Sequence, residues 1–192
     1  MEKIRNFCQD GYYHIYNRGN NKQDIFLEDV DYIFYLKRLR DYKEKNNASV
    51  ISYCLMPNHI HLLVKQNTEI PIYKLVSSLH TSYSMYFNKK YSKVGRLFQG
   101  RFGCKNVDKD EYLLHLSSYI HLNPLSAGLV KKLEDYQWSS YPDYIGARNG
   151  TLCDKEVIMA DNSPEEYKQI TEEEVADLIL KKKFQNQEKY IF

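Results

Sequence analysis

Two histidines, His59 and His61, stand one residue apart in "SYCLMPNHIHLLVKQ" (52–66), a stretch otherwise suited to burial. Side chains alternate across a β-strand, so this pair shares one face while Ile60, Leu62 and Val64 point to the other. Two imidazoles so placed are near enough to share one metal ion, although a structural pair would have the same spacing. A second set of reactive types follows in "EYLLHLSSYIHLN". There Leu113, Leu116 and Ile120 line one stripe of a helix, and Tyr112, His115, Tyr119 and Asn123 line an adjacent one. Tyr119 and Asn123 are one turn apart, so a phenol and an amide oxygen could reach the same ion and its substrate. An ordinary tyrosine at a core edge fits the pattern too, in a chain with 18 tyrosines.

The elements that would bring these stripes together can be read from periodicity and turn chemistry. "YYHIYNR" (12–18) is aromatic and β-branched and ends at Gly19-Asn20-Asn21, which predicts a strand and then a loop. From Glu28 to about Lys45, Ile33, Phe34, Leu36 and Leu39 recur at helical spacing. "SVISYCL" and "HIHLLVK" are two strands of a hairpin; Pro57 sets φ in the turn and Asn58 tolerates the tight bend. Pro71 opens a helix from Ile72 to about Tyr91, with Leu75, Val76, Leu79, Tyr83 and Tyr86 at helical spacing. "RFGCKNV" fits a fourth strand, and Asp108 or Asp110 opens a third helix that reaches Asn123 and ends at Pro124. This order predicts an α+β, ferredoxin-like split βαβ fold: a four-stranded antiparallel sheet, two helices on one face and an added helix on the other. The third strand lies centrally beside the first. If the first strand alternates likewise, His14, Tyr16 and Arg18 share the histidine face.

A chain of 192 residues with 43% apolar residues can bury one sizeable core. We expect one domain over residues 1–150 and an acidic tail over 151–192, in which Glu172 to Phe184 forms a short helix with Val175, Leu178 and Ile179 against the body. No apolar run has membrane-span length and the start lacks a signal peptide, so a cytoplasmic protein without a membrane partner is expected. The cysteines, Cys8, Cys54, Cys104 and Cys153, form no CxxC pair, which argues against a zinc knuckle or a disulfide framework. Residues 1–150 hold 21 Lys and Arg against 15 Asp and Glu, a net of +6, whereas residues 151–192 hold 6 against 10, a net of −4. Seven cations face one acid in "NKKYSKVGRLFQGRFGCKNVDK" (88–109). With its interleaved aromatics this segment suits a partner that has backbone phosphates and stacking bases, although a solvated basic loop would look alike. Arg18, Lys89, Lys90, Lys93, Arg96, Arg101 and Lys105 are candidate phosphate neighbours, and Tyr16 or Phe98 could stack on an unpaired base. Trp138 and Tyr141 read as packing residues.

The segments "YYHIYNRGN", "YCLMPNHIHLLV", "GRLFQGRF", "YIHLNPLSAGLV" and "YQWSSYPDY", in this order over roughly residues 10 to 146, resemble the single-tyrosine HUH transposases, and within them the REP-associated tyrosine transposases. The resemblance implies recognition of hairpins in single-stranded DNA and cleavage beside them through a 5′-phosphotyrosine link, which a 3′-hydroxyl can reverse. By position it makes Tyr119 the nucleophile, His59 and His61 metal ligands, and Asn123 a third ligand; His115 or His121 would substitute if the helix were rotated. Phenols ionise near pH 10 and need a positioned cation to act as nucleophiles at neutral pH. The family implies Mg²⁺ or Mn²⁺, and no nucleotide cofactor is expected, consistent with the absence of a GxxxxGK[ST] loop. Two other readings remain: a non-catalytic ferredoxin-like module that binds single-stranded nucleic acid, and a domesticated nickase that mobilises nothing. Relatives include monomers and helix-exchanging pairs, so a homodimer is possible on sequence alone.

Overall fold

The computed structural model describes residues 7–107 and 110–175. Strand β1 (Tyr12–Arg18) is followed by helix α1 (Asp29–Lys45), the hairpin of β2 (Ala48–Met56) and β3 (His59–Gln66), helix α2 (Ile72–Lys90), strand β4 (Gly103–Val107) and helix α3 (Asp110–Ser126). All pairings are antiparallel, in the order β2-β3-β1-β4. This is the split βαβ sheet expected from sequence, with β3 and β1 at its centre.

Each face of the sheet carries its own core. Ile15, Ile60, Leu62 and Val64 pack with Leu39 of α1 and Leu75, Val76, Leu79 and Tyr83 of α2. On the other face Ile51, Cys54, Met56 and Leu63 pack with Leu113, Leu116 and Ile120 of α3. Helix α1 is stopped at its N-terminus by a reciprocal capping box between Glu28 and Asp31, which satisfies two backbone N–H groups that a helix start leaves unpaired. The outer edge of β2 is covered by residues 138–140: Leu55 N–H donates to the Trp138 carbonyl at 2.9 Å, and Ser140 N–H to that of Tyr53 at 3.0 Å. That cover protects an otherwise unpaired strand edge. Trp138 also stacks on Tyr32 with ring centroids 4.4 Å apart, and Tyr141 is buried, so both are packing residues as expected.

The hairpin turn between β2 and β3 is Pro57-Asn58, as expected. Two local expectations are corrected. Pro124 lies inside α3, which runs on to Ser126. The helical stretch after the body begins at residue 164, ahead of Glu172, and buries Tyr167. Asp108, Leu178, Ile179 and the remainder of the expected tail helix to Phe184 lie outside the described residues. Residues 151–175 pack on both cores, through Leu152 and Cys153 on one and Ile158 and Tyr167 on the other. None of the described helices is long and apolar enough to cross a membrane.

Candidate functional site

Register alone puts the reactive side chains on one surface. Tyr16 sits directly opposite His61 and Arg18 opposite His59, while His14 lies opposite Leu63 and, on its other side, Lys105. Partners across a sheet share a face, so His14, Tyr16, Arg18, His59, His61 and Lys105 all lie opposite the face covered by α1 and α2. Gly103 pairs with Tyr16 on β4, and a Cβ at that position would overlap the Tyr16 ring. The missing side chain leaves the space that the Tyr16 ring occupies. Around the ends of these strands opens a cleft of about 540 Å³, lined by Tyr16, Arg18, His59, His61, Gln99 and Arg101 among others.

Helix α3 packs its apolar stripe on the face of the sheet that carries the histidines. Leu113, Leu116 and Ile120 are buried, whereas Tyr112 is 56% and Tyr119 48% exposed. The Tyr119 ring stands edge-on to two histidines, with its centroid 6.3 Å from that of His61 and 6.4 Å from that of His14. His59 and His61 have centroids 5.2 Å apart with perpendicular rings. Tyr119 is thus brought beside His61, and His61 beside His59. Asn123 donates from Nδ2 to the carbonyls of Tyr119 at 2.9 Å and Ile120 at 3.1 Å. The second of these explains the tolerated proline: Pro124 has no N–H for the Ile120 carbonyl four residues back, and the Asn123 amide takes its place. With the nitrogen so used, Oδ1 is the atom of Asn123 left for a ligand. His121 is buried between Tyr167 and Ser140, and His115 pairs with Glu174, so neither substitutes at the cleft.

Of two neighbours of the histidines, His14 was expected on their face but with no role, and Asn58 was not expected as a partner. Asn58 presents Oδ1 to His59 Nδ1 at 2.6 Å; a carbonyl oxygen only accepts, so Nδ1 carries the proton and Nε2 keeps its lone pair. His61 Nδ1 lies 3.0 Å from His14 Nε2. Burial is the main influence on all three rings and favours the neutral form. It lowers His61 to about 3, with help from His14 and His59, and His14 to about 4, with help from Lys105. His59 is lowered by burial and then by Arg18.

The basic candidates divide. Arg18, whose guanidinium is held by Gln99 Oε1 at 3.1 and 3.3 Å, and Arg101 line the cleft. Lys105 is exposed on the same face, and Arg96 lines another groove, along α2, which shares Gly100 and Arg101 with the cleft. Lys93 is exposed in the loop after α2. Lys89 instead borders a groove between α1 and α2, on the far side of the sheet. Lys90 is committed to the buried Asp31 at 2.8 Å and to Glu28 at 3.1 Å, because an unpaired buried carboxylate would be costly. Phe98 is 6% exposed and stacked on His80 at 4.4 Å, which removes it as a free platform for a base.

The two imidazoles, kept neutral by burial and one with its lone pair directed by Asn58, suit a divalent ion, and Asn123 stands one turn beyond Tyr119 on α3 with its amide nitrogen engaged by the helix. Among the described residues no three His, Cys, Asp or Glu side chains converge, so this is no closed structural metal site. It fits an open site whose remaining positions fall to water and substrate oxygens.

A family model described as "Transposase IS200 like" matches residues 8–123, a span that includes β1 to β4, both histidines and Tyr119. The chain belongs to the IS200-like transposase family. A Haemophilus influenzae protein described as "Putative REP-associated tyrosine transposase" is 27% identical over 152 residues, which cover 71% of this chain and 83% of that protein. The fold is also that of a solved structure described as "Structure of the REP associates tyrosine transposase bound to a REP hairpin". That match has a TM-score of 0.63 and 18% identity, and covers 80% of this chain and 94% of the other.

Proposed function

We propose that this transposase binds hairpin-bearing single-stranded DNA and cuts and rejoins it through Tyr119, assisted by a divalent cation held by His59, His61 and Asn123. The observation that carries the reading is an exposed phenol edge-on to the part-buried, neutral imidazole of His61, which in turn stands beside His59 in the cleft. Hairpin DNA as the substrate is supported by the solved relative bound to a REP hairpin.

Tyr119 Oη attacks the scissile phosphorus; the new oxygen–phosphorus bond leaves a 5′-phosphotyrosine as the bond to O3′ breaks. The phenolic proton leaves to solvent, and the departing 3′ oxygen takes a proton to become a hydroxyl. Attack by another 3′-hydroxyl reverses these changes, and because the covalent link conserves a phosphoester no nucleotide is consumed. Held by His59, His61 and Asn123, Mg²⁺ or Mn²⁺ would supply Lewis-acid polarisation of the phosphate oxygens. Arg18 and Arg101 hold the strand's phosphates along the cleft, with Gln99 fixing the Arg18 fork. Tyr16, packed against Gly103, offers an aromatic ring to a base beside the cut.

The test is a denaturing gel of protein with labelled hairpin oligonucleotide and Mn²⁺. Wild-type protein is expected to form a covalent adduct and Tyr119→Phe none; an adduct with Tyr119→Phe ends the assignment.

A further inference from the structure

His14 has no part in the chemistry described above, yet its ring is the polar group nearest to one of the two proposed metal ligands. It sits diagonally across the β1–β3 pair from His61, two residues along the strand from the directly opposed Tyr16, and it is 8% exposed. Its Nε2 lies 3.0 Å from His61 Nδ1, and the two rings are nearly parallel, 22° apart. It does not join His59 and His61 as a third ligand, since no three such side chains converge among the described residues.

A hydrogen bond between two imidazole nitrogens needs one donor and one acceptor, which leaves two arrangements. If His14 donated, the proton of His61 would sit on Nε2 and block the nitrogen remote from His14. If His61 donates from Nδ1, its Nε2 keeps the lone pair, as His59 Nε2 does under the direction of Asn58. Only the second arrangement makes both histidines ligands through the same nitrogen, and it reproduces the general pattern in which the non-ligating nitrogen of a metal histidine donates to a fixed acceptor.

We propose that His14 is a positioning residue for His61: its Nε2 accepts the His61 Nδ1 proton, which fixes the ring and turns the Nε2 lone pair toward the cation site. The proposal rests on the metal role given to His61 above, and its tests separate the two. In metal-free protein labelled at histidine with ¹⁵N, long-range ¹H–¹⁵N spectra read the tautomers directly; we expect a protonated Nδ1 and a bare Nε2 on His61. A His61 protonated at Nε2 overturns the proposal.

Titration with Mn²⁺, followed by the electron paramagnetic resonance signal of the free ion, gives the second readout. His14→Leu should weaken Mn²⁺ binding about 10- to 100-fold, the usual effect of losing such a partner. His14→Gln, which restores an accepting oxygen, should recover part of it, and hairpin binding in chelator should stay unchanged in both variants. Equal Mn²⁺ affinity in wild type and His14→Leu, or no Mn²⁺ binding by the wild type, overturns the proposal. Retained Mn²⁺ binding that depends on His14, in a protein that forms no Tyr119 adduct, sinks the nuclease reading and leaves this one standing.

Discussion

Lowering the pH from 7.5 to 5.5 should leave Mn²⁺ affinity almost intact, and the expectation can be worked from the burial of the two histidines. A ligand histidine must shed its proton to bind a metal, so an ordinary imidazole with pKa about 6.5 costs roughly tenfold in affinity at pH 5.5, and two cost about 100-fold. His61, held down to about 3 chiefly by burial and then by His14 and His59, is already neutral at pH 5.5 and contributes no loss. His59 is lowered too, by burial and Arg18, so its own penalty must be smaller than that tenfold. The net change should stay under about tenfold. The assay is Mn²⁺ titration by electron paramagnetic resonance at the two pH values, with circular dichroism to verify that the protein remains folded. A loss near 100-fold would mean that both rings titrate like free histidine, and would refute the argument that burial prepares them.

Three further outcomes follow from the same structure. His80 and His121 are held neutral by burial at about 3, so protons bind first to the unfolded chain; stability is fully present above pH 6.5 and falls as pH drops toward 3. Each should contribute a loss of about 1 kcal/mol between pH 6.5 and 5.5, measured by urea unfolding, and a flat profile would contradict the burial of these rings. Tyr167→Phe removes the hydroxyl that meets Ser117 at 2.9 Å and His121 at 2.7 Å, and should cost about 1–3 kcal/mol in the same assay; no change would show that the buried groups re-pair. Gly103→Ala should displace the Tyr16 ring at a cost of about 1–3 kcal/mol and weaken hairpin binding, whereas unchanged affinity would remove Tyr16 from the DNA path.

The parts of this fold that obey a period were legible in the sequence. The alternation of Ile60, Leu62 and Val64 against His59 and His61, and the stripe of Leu113, Leu116 and Ile120, gave the sheet faces and the side of α3 that meets them. What escaped depended on particular side-chain contacts, some between elements and some between neighbours. Lys90 looked like one more cation of a basic run, and only the packing of α1 on α2 shows it neutralising Asp31. Phe98 looked like a free aromatic until α2 brought His80 onto it. Pro124 read as a helix stop because the rule considers the backbone alone, and the side chain that repairs the missing bond belongs to its neighbour. Asn58 was read for its turn propensity when its side chain orients His59, a bond that sequence adjacency made available but did not announce.

The repair at Pro124 has one more consequence. Because the Asn123 nitrogen is needed by two helix carbonyls, a flip of the amide would set oxygen against oxygen, so the direction of Oδ1 is decided by the backbone. A free asparagine would surrender rotamer freedom on meeting a cation, a loss on the order of 1 kcal/mol. Here that entropy has already been given up in folding. A proline that looks like a flaw in the helix thereby leaves the third proposed ligand rigid before any ion arrives.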